Sequence, residues 1–424
     1  MSKQAKILND FPEELILQIL HKLSIKCLGK CMCVCKAWNF LIKNPSFISN
    51  HLHNKSPDLF LVWIFRHNRR RKIRYSLHFD DAQFSEYMPL HFPLMNKSEI
   101  VGSCNGVVCL VDNLYIYAST FVLWNPCVRK YITIPKSDLI PPQSWWVCCG
   151  FGFDSRTNDY KILRVSIKES DEYIGAHIYS LKHDSWKTLP APKFSIKSDD
   201  PMVFVNGVVH WISYRKAEND VFESVVMGFH MGDEVFNMIR LPETESFNYD
   251  NLGELYLTMY PETSSIAVMH EDDFSGRCHV WVMKEYGLEE TWTKLLSFGK
   301  WGEVPEVAAF RKDGGLIVKT FKGEMVSYYP ERSEAKMLGI GGEFEYFIVV
   351  RHMESLVLHD IGNHEYDDSD LGDSSDESTD TASDSSNDLT DDSSEDGSDD
   401  VSDNSTDEGT DNITDEGADF SSGD

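Results

Sequence analysis

The sequence predicts a small all-α domain, then an all-β propeller, then a disordered acidic tail. Three observations indicate this fold class: helical apolar patterns within residues 10–52, a strand-and-turn unit that recurs about every 50 residues within 59–358, and an Asp- and Ser-rich segment at 361–424. Residues 1–9 precede the first pattern as an N-terminal extension. A chain of 424 residues is long enough for one short and one large domain.

The acidity of the chain lies at its C-terminal end. The formal net charge is -28, but 24 of the 68 acidic residues and none of the 40 basic ones fall in 361–424. That leaves 44 acidic and 40 basic residues in 1–360, so this part of the chain is nearly neutral. Such a balance does not support nucleic-acid binding, which requires a basic surface. The tail has too little apolar surface to offset the loss of chain entropy on folding, so we predict that it is disordered.

Composition also predicts the cellular compartment. The first residues lack the apolar segment of a secretory signal, and no apolar run reaches the ~20 residues of a membrane span. The one basic run, RHNRRRKIR at 66–74, directly follows the apolar FLVWIF and is interpreted as a solvated outer strand. We therefore expect a cytoplasmic or nuclear protein with ten reduced cysteines, no nucleic-acid partner and no membrane contact.

Residues 12–23 predict the first helix of the small domain. Pro12 suits a first turn, and Glu13 and Glu14 suit the positive end of the helix dipole. The apolar side of this helix is formed by Leu15, Ile16, Ile19, Leu20 and Leu23. Two or three short helices cannot bury so many large apolar side chains against one another, which indicates a partner surface.

The next stretch, KCLGKCMCVCKAW at 26–38, contains four cysteines within nine positions. A straight helix would separate Cys27 from Cys35 by about 12 Å, too far for one zinc ion with Zn–S bonds of ~2.3 Å. The Cys-x-x-Cys pairing of zinc ribbons is missing from the sequence, so a buried helix face is favoured over a metal or redox site. The stripe that predicts one continuous helix consists of Leu28, Cys31, Val34, Cys35, Trp38, Leu41 and Ile42.

Residues 10–52 resemble an F-box, the module that docks onto the Skp adaptor of Skp-cullin-F-box ubiquitin ligases. The matching residues, in their expected order, are Pro12, Glu14, Leu15, Ile19, Leu20, Leu23, Leu28, Val34, Cys35, Lys36, Trp38, Leu41, Ile42, Pro45 and Phe47. The sequence departs from the family pattern at Phe11, where Leu is usual, and at Ser24, where a second Pro is usual. The resemblance implies an adaptor-binding set of Phe11, Pro12, Leu15, Ile19, Leu20, Leu23, Leu28, Cys31, Val34, Cys35, Trp38, Leu41, Ile42 and Pro45.

The large domain contains a repeated unit of two strands joined by a polar turn, with an aromatic residue in the second strand. Its five copies end at Pro135, Pro190, Pro242, Leu296 and Leu338, with spacings of 55, 52, 54 and 42 residues. A pair of apolar strand segments precedes each copy, and Asn-Gly at Asn105 and at Asn206 predicts tight hairpin turns with positive φ. Hairpin plus hairpin predicts a four-stranded antiparallel sheet, and several such sheets arranged radially form a propeller.

The two ends of the large domain supply one further unit. Residues 346–360 are predicted to form inner strands and residues 59–79 outer strands of the same sheet. Closing the ring in this way removes an open sheet edge. The sequence therefore predicts six blades, with seven as the alternative.

Residues 59–358 also resemble the F-box-associated domain, a kelch-like relative that accompanies F-boxes in flowering plants. The matching segments are GSCNGVVCL (102–110), LWNPCVRKYITIP (123–135), GFGFDSRTNDYKILRV (150–165), IYSLKHDSWKTL (178–189) and VFVNGVVHWI (203–212). The resemblance implies a non-catalytic substrate receptor, in which the F-box holds the Skp adaptor and, through it, cullin and a RING subunit, while the propeller binds a protein for ubiquitination. Some members recognise ribonucleases in pollen self-incompatibility, and membership of that S-locus group stays open.

The sequence lacks three common catalytic motifs. It has no Gly-x-Ser-x-Gly elbow, no Walker loop and no His-Glu-x-x-His pair. Cys148 and Cys149 are adjacent and would point to opposite faces of a strand, so they cannot chelate as a pair. We expect no cofactor and no metal, and we interpret the recurring tryptophans Trp124, Trp186, Trp211, Trp281 and Trp292 as core residues.

Substrate specificity is expected in the connections between strands. Candidate segments are 135–146, 168–176 and 243–254. The aromatic candidates for contact with substrate are Trp145, Trp146, Tyr173, Phe247 and Tyr249. The alternative hypothesis is a kelch-like scaffold or ligand-binding propeller outside a ligase, which would pack the apolar face of the F-box against its own propeller.

Overall fold

The structure is a computed structural model of the chain. It describes residues 12–53, 59–66, 73–92, 98–112, 120–137, 139, 146–167, 173–190, 195–196, 202–216, 222–242, 255–272, 277–299, 306–320, 322–341, 345–359 and 364–365. The predicted disordered tail, apart from residues 364–365, therefore lies outside the described residues, as do Phe11 and residues 67–72 of the basic run.

Residues 12–53 form a helical domain of four short helices. These helices are α1 (Glu13–His21), α2 (Ile25–Met32), α3 (Lys36–Lys43) and α4 (Pro45–His53). Ser24 caps α2, because its hydroxyl oxygen accepts a hydrogen bond from the backbone N–H of Cys27 at 3.4 Å. The residue that replaces the usual proline thus stabilises the start of the second helix.

The predicted single helix across the cysteine stretch is wrong. Helix α2 ends at its C-cap Cys33, and α3 begins only after Cys35. Cys35 has an extended backbone, with φ -158° and ψ 161°, and its sulfur accepts a hydrogen bond from the N–H of Trp38 at 3.5 Å. Leu28 in α2 and Ile42 in α3 are buried in one core, whereas Val34 and Cys35 at the break are exposed. The predicted buried face is therefore interrupted at the break, and Cys27 and Cys33 are exposed as well.

The described strands form six antiparallel sheets, which are the blades of a propeller, and the prediction of six blades is confirmed. Blade 1 consists of β1 (Leu59–Arg66), β2 (Ile73–Phe79), β3 (Glu86–Leu90) and β25 (Glu345–His352). Blade 2 consists of β4 (Ser98–Cys104), β5 (Val107–Asp112), β6 (Phe121–Asn125), β7 (Lys130–Thr133) and β26 (His364–Glu365). Blade 3 consists of β8 (Trp146–Asp154), β9 (Asp159–Ile167), β10 (Tyr173–Ser180) and β11 (Ser185–Leu189).

The other three blades follow in chain order. Blade 4 consists of β12 (Ser195–Ile196), β13 (Val203–Val205), β14 (Val208–Lys216), β15 (Phe222–His230) and β16 (Phe236–Arg240). Blade 5 consists of β17 (Leu255–Tyr260), β18 (Ser265–Asp272), β19 (Arg277–Met283) and β20 (Trp292–Gly299). Blade 6 consists of β21 (Glu306–Phe310), β22 (Leu316–Lys319), β23 (Glu324–Tyr329) and β24 (Glu334–Gly341). Each predicted copy of the repeat forms the outer hairpin of one blade.

The ring closes through blade 1, as predicted. Strand β25 pairs antiparallel with β1, with Leu59 opposite His352 and Phe65 opposite Tyr346. The C-terminal segment supplies one strand to this blade, where the sequence predicted more, because residues 353–359 leave the sheet. The predicted Asn-Gly turn between β4 and β5 is confirmed, with φ values of 52° at Asn105 and 76° at Gly106.

Apolar side chains fill the spaces between neighbouring blades. Each of the six blade pairs shares one buried cluster. Cys148 and Cys149 enter two different clusters, which confirms that they point to opposite faces of β8. The indole N–H of Trp186 donates to Pro135 O at 2.8 Å, so this recurring tryptophan joins blade 3 to blade 2.

Strand direction gives the propeller two different faces. The tight turns within the inner and outer hairpins, among them 105–106 and 126–129, lie at one face, which we call the turn face. The opposite face, which we call the loop face, contains the start of β8 and the end of β9, because Trp146 is opposite Ile167. A central cavity of about 170 Å³ is lined by residues from all six blades.

Candidate functional site

The helical domain lies on the turn face of the propeller, at blade 2. Its buried core is formed by Leu20, Ile25, Leu28, Ile42 and Phe47, and Leu356 from the segment after β25 completes it. Cys127 and Val128, in the turn between β6 and β7, pack against the same cluster. One apolar side of the helical domain is therefore covered by the propeller itself.

A second apolar side of the helical domain is open to solvent. Ile19 in α1 is 58% exposed, Val34 between α2 and α3 is 57% exposed, and Phe40 in α3 is 74% exposed. Leu15 is 45% exposed on the same helix as Ile19. Large apolar side chains with this exposure in one small module indicate a surface for a protein partner.

A groove of about 730 Å³ lies beside Val34, where α2, α3 and α4 come together. Its lining consists of Met32, Cys33, Cys35, Lys36, Asn39, Phe40, Lys43, Asn44 and Pro45. Two lysines and no acidic residue are in this lining, so the groove favours a partner with an apolar anchor and an acidic rim.

The structure divides the predicted adaptor-binding set into three groups. Leu20, Leu28 and Ile42 are buried in the core of the helical domain itself. The half-buried members are Leu23, Cys31, Trp38 and Leu41. The exposed members are Pro12, Leu15, Ile19, Val34, Cys35 and Pro45. A partner can touch the exposed group directly, whereas the buried group holds the helices in place.

Phe40 is the residue that the sequence analysis missed. It lies between Trp38 and Leu41 but off the apolar stripe, and an apolar residue at such a position is typical of a contact outside the core. Its exposure is the largest among the exposed large apolar residues of the described part of the chain. A search for apolar residues opposite the stripe would have found it.

The cysteines of the helical domain are all free thiols. Burial, reinforced by the neighbouring Cys27, raises the pKa of the Cys31 thiol, which disfavours the thiolate that metals bind. Within the part of the chain that the structure describes, no group of three or more His, Cys, Asp or Glu side chains is placed to hold a metal ion.

Two of the predicted substrate residues, Trp146 and Tyr173, belong to the loop face. Trp146 begins β8 and Tyr173 begins β10, and both pair with Ile167 at the end of β9. Trp145, Phe247 and Tyr249 lie outside the described residues.

One further aromatic residue stands at the loop face. Tyr346, at the start of the innermost strand β25, is 59% exposed, and the Lys319 ammonium lies 5.4 Å from its ring centroid. The apolar pattern predicted only that Tyr346 belongs to a strand, because the pattern does not indicate which residues at a strand end are exposed.

No helix among the described residues combines the length and the apolar character needed to cross a membrane.

The fold and the site define a protein with a helical docking module mounted on one face of a six-bladed propeller. Residues 65–359 match a family model described as the F-box associated beta propeller domain, and residues 8–50 match the F-box domain. The chain therefore belongs to the family of F-box proteins with an F-box associated beta propeller domain.

Several proteins of Arabidopsis thaliana are similar along most of their length. F-box protein At3g07870 is 24% identical over 404 residues, covering 83% of this chain and 93% of that protein. F-box protein CPR1 is 25% identical over 315 residues, covering 68% of this chain and 73% of that protein. F-box/kelch-repeat protein At3g23880 is 23% identical over 340 residues, covering 76% and 88% respectively.

Proposed function

We propose that this protein is the substrate-recognition subunit of a Skp-cullin-F-box ubiquitin ligase. The observation that carries the proposal is the separation of two regions: the F-box, with its exposed apolar residues, packs on the turn face, whereas the strand ends at Trp146 and Tyr173 lie at the loop face. A receptor needs such a separation because it must hold the ligase and the target at the same time.

Adaptor binding is inferred from the exposure of large apolar side chains on the F-box. Ile19, Val34 and Phe40 would each be costly to leave in water without a partner, and all three lie in a module of about 40 residues. A Skp-type adaptor would cover them, and through it the chain would join cullin and a RING subunit. The propeller covers only one part of the F-box and leaves Ile19, Val34 and Phe40 exposed. This exposure favours a receptor over a scaffold that packs its whole F-box against its own propeller.

The substrate side of the proposal rests on the loop face. Tyr346 stands there as an exposed aromatic side chain at the start of the innermost strand β25, and aromatic residues are frequent anchors in protein interfaces. The connections that begin after β7, β9 and β16 would add the remaining contacts. The protein itself would perform no chemistry, would need no cofactor, and would act in the cytoplasm or nucleus.

We expect Val34→Asp to weaken binding of a plant Skp-type adaptor by about tenfold or more, since an interface anchor typically contributes at least ~1.4 kcal/mol. A carboxylate at this 57% exposed position would have to be desolvated on docking, without damage to the core of the free F-box. Isothermal titration calorimetry with the purified full chain measures the effect. Substitution of Leu20 would not serve, because it is fully buried and its loss would unfold the module.

The matched control is Val235→Asp, the same change at a 52% exposed valine in the propeller. We expect this variant to bind the adaptor like the unmodified chain. Equal binding by the Val34 and Val235 variants, or no adaptor binding by the folded unmodified chain, would contradict the proposed function.

A further inference from the structure

The segment that follows β25 connects the propeller with the F-box. His352 ends β25, and Ser103 in blade 2 lies 2.8 Å from it, Oγ to Nδ1. The chain then crosses the turn face, where Leu356 is 3% exposed within the F-box core and Leu358 is 2% exposed within the cluster between blades 2 and 3. Alternate residues of one short segment thus pack into two different domains.

Asn125 holds this segment in place. Its side-chain nitrogen donates to Ser355 O at 3.0 Å and to Val357 O at 2.7 Å, the two carbonyl groups that flank Leu356. Its side-chain oxygen accepts from the N–H of Cys127 at 2.9 Å, in the turn that also contacts the F-box. One fully buried amide therefore sets the positions of both propeller segments that touch the F-box.

The segment also lies directly against blade 2, with no space between the two backbones. A Cβ atom at Gly106 would lie 2.4 Å from Ser355 Oγ and 2.7 Å from Met353 O, so the backbone of the β4–β5 turn approaches the segment closely. On the outer side, the Tyr87 hydroxyl donates to the carboxylate of Glu354 at 3.0 Å. Contacts on both sides leave the segment with one path across the turn face.

We infer that Leu356, held by Asn125, is a positioning residue that sets the orientation of the F-box relative to the propeller. Without its side chain, the contact of the propeller with this F-box cluster would be reduced, among the described residues, to Cys127 and Val128, which are partly buried. The functional meaning rests on the proposed function: a fixed orientation would hold the captured target at a constant place relative to the ligase, and such geometry governs the rate of group transfer.

The test measures the orientation directly in the full chain. Noncanonical amino acids that carry spin labels would be encoded in place of exposed Lys26 in α2 and exposed Ser155 in the blade 3 turn. This labelling does not depend on the ten native cysteines. Double electron–electron resonance then gives the distribution of distances between F-box and propeller. For Leu356→Ala we expect a distribution at least about twofold wider than for the chain with Leu356.

Two variants separate positioning from general stability. Leu358 lies two positions after Leu356, is equally buried, and belongs to the propeller core. We expect Leu358→Ala to lower the stability of the propeller but to leave the distribution of distances between F-box and propeller narrow. Leu356→Met conserves volume and should also keep it narrow. A narrow distribution for Leu356→Ala, or an equally broad one for Leu358→Ala, would overturn the inference.

Adaptor binding provides the remaining readout. We expect the adaptor affinity of Leu356→Ala to stay within about threefold of the unmodified chain, because the exposed surface of the F-box is intact. A tenfold loss would mean that the F-box itself is damaged and would overturn a purely positioning role. If the unmodified chain binds no adaptor, the proposed function fails, whereas the distance measurements still decide the role of Leu356.

Discussion

Arg311→Met should lower the free energy of unfolding by about 3 kcal/mol, because it removes one partner of a buried ion pair. The Arg311 side chain is fully buried, and its Nε lies 3.1 Å from Oδ1 of Asp80, so it joins blade 6 to blade 1 where the ring closes. It also donates to Ser327 Oγ at 2.8 Å, to the Tyr329 hydroxyl at 2.9 Å and to Asp81 O. All these acceptors would lose their donor.

We place this loss at the lower end of the range for buried pairs. Asp80 would keep the Arg351 guanidinium at 3.6 Å and the N–H of Lys312 at 3.0 Å, so its charge would be only partly uncompensated. Urea denaturation of the full chain measures the change.

Arg156→Met is the matched control for Arg311→Met. Arg156 pairs with Asp233 at 2.8 Å, but both side chains are more than half exposed, and surface pairs contribute little. Arg156 also lies 3.7 Å from buried Asp154, which would keep Lys161 at 3.5 Å. We expect this variant to unfold like the unmodified chain. An equal, small effect of both substitutions would mean that the buried pair does not stabilise ring closure.

The blade count followed from the sequence because each blade repeats the same local chemistry. Tight turns and apolar strands recur from blade to blade, with Asn-Gly in two of the turns and Leu-Pro or Ile-Pro at the end of three copies of the repeat. Each of these features reflects a local backbone requirement. Closure through blade 1 was predictable for the same reason, since strand patterns without a complete blade remained at both ends of the large domain. The division between the ends was not predicted, because β25 supplies one strand and residues 59–90 supply three. Local signals of this kind do not depend on distant contacts.

The break in the cysteine stretch was not predictable from periodicity. The stripe residues on either side of the break, such as Leu28 and Trp38, pack in one core, so they remain in phase although two helices carry them. Cys35, at the break itself, is exposed but has the same apolar character as the stripe. The two helices are separated by the extended backbone at Cys35, and the sulfur of Cys35 caps the start of α3. Cysteine is not among the usual capping residues, so the sequence contained no helix stop.

The contact of Leu356 with the F-box core was equally hidden. Residues 346–360 form a continuous apolar pattern, and the sequence analysis assigned the whole pattern to strands. Leu356 follows the end of β25 by four positions, and its partners Leu20 and Leu28 lie more than 300 residues earlier in the chain. A contact between domains at such a separation has no periodicity and appears only when the fold is assembled.

Between pH 6.5 and about 4, we expect the unmodified chain to lose up to about 3 kcal/mol of stability relative to His352→Asn. Burial lowers the pKa of His352 to about 4, whereas an unfolded histidine titrates near 6.5. Within this window the unfolded chain binds a proton that the folded chain does not bind, so the free energy of unfolding falls as the pH falls. Above the window the contribution of His352 is constant.

The physical reason lies in the second ring nitrogen of His352. Its Nδ1 is hydrogen-bonded to Ser103, but its Nε2 has no hydrogen-bond partner among the described residues, so protonation would bury an N–H without an acceptor. Asparagine can keep the bond to Ser103 without titrating. Urea denaturation of both proteins at several pH values gives the difference curve.

The difference between the two proteins isolates this histidine from other titrating groups. Burial raises the pKa of Glu99 to about 7, which stabilises the folded chain as the pH falls and opposes the effect of His352. Because Glu99 is present in both proteins, its contribution cancels in the difference curve, as does that of His210. An identical slope for the two proteins, or an equal change on replacing exposed His183, would mean that His352 is not the group that limits stability in acid.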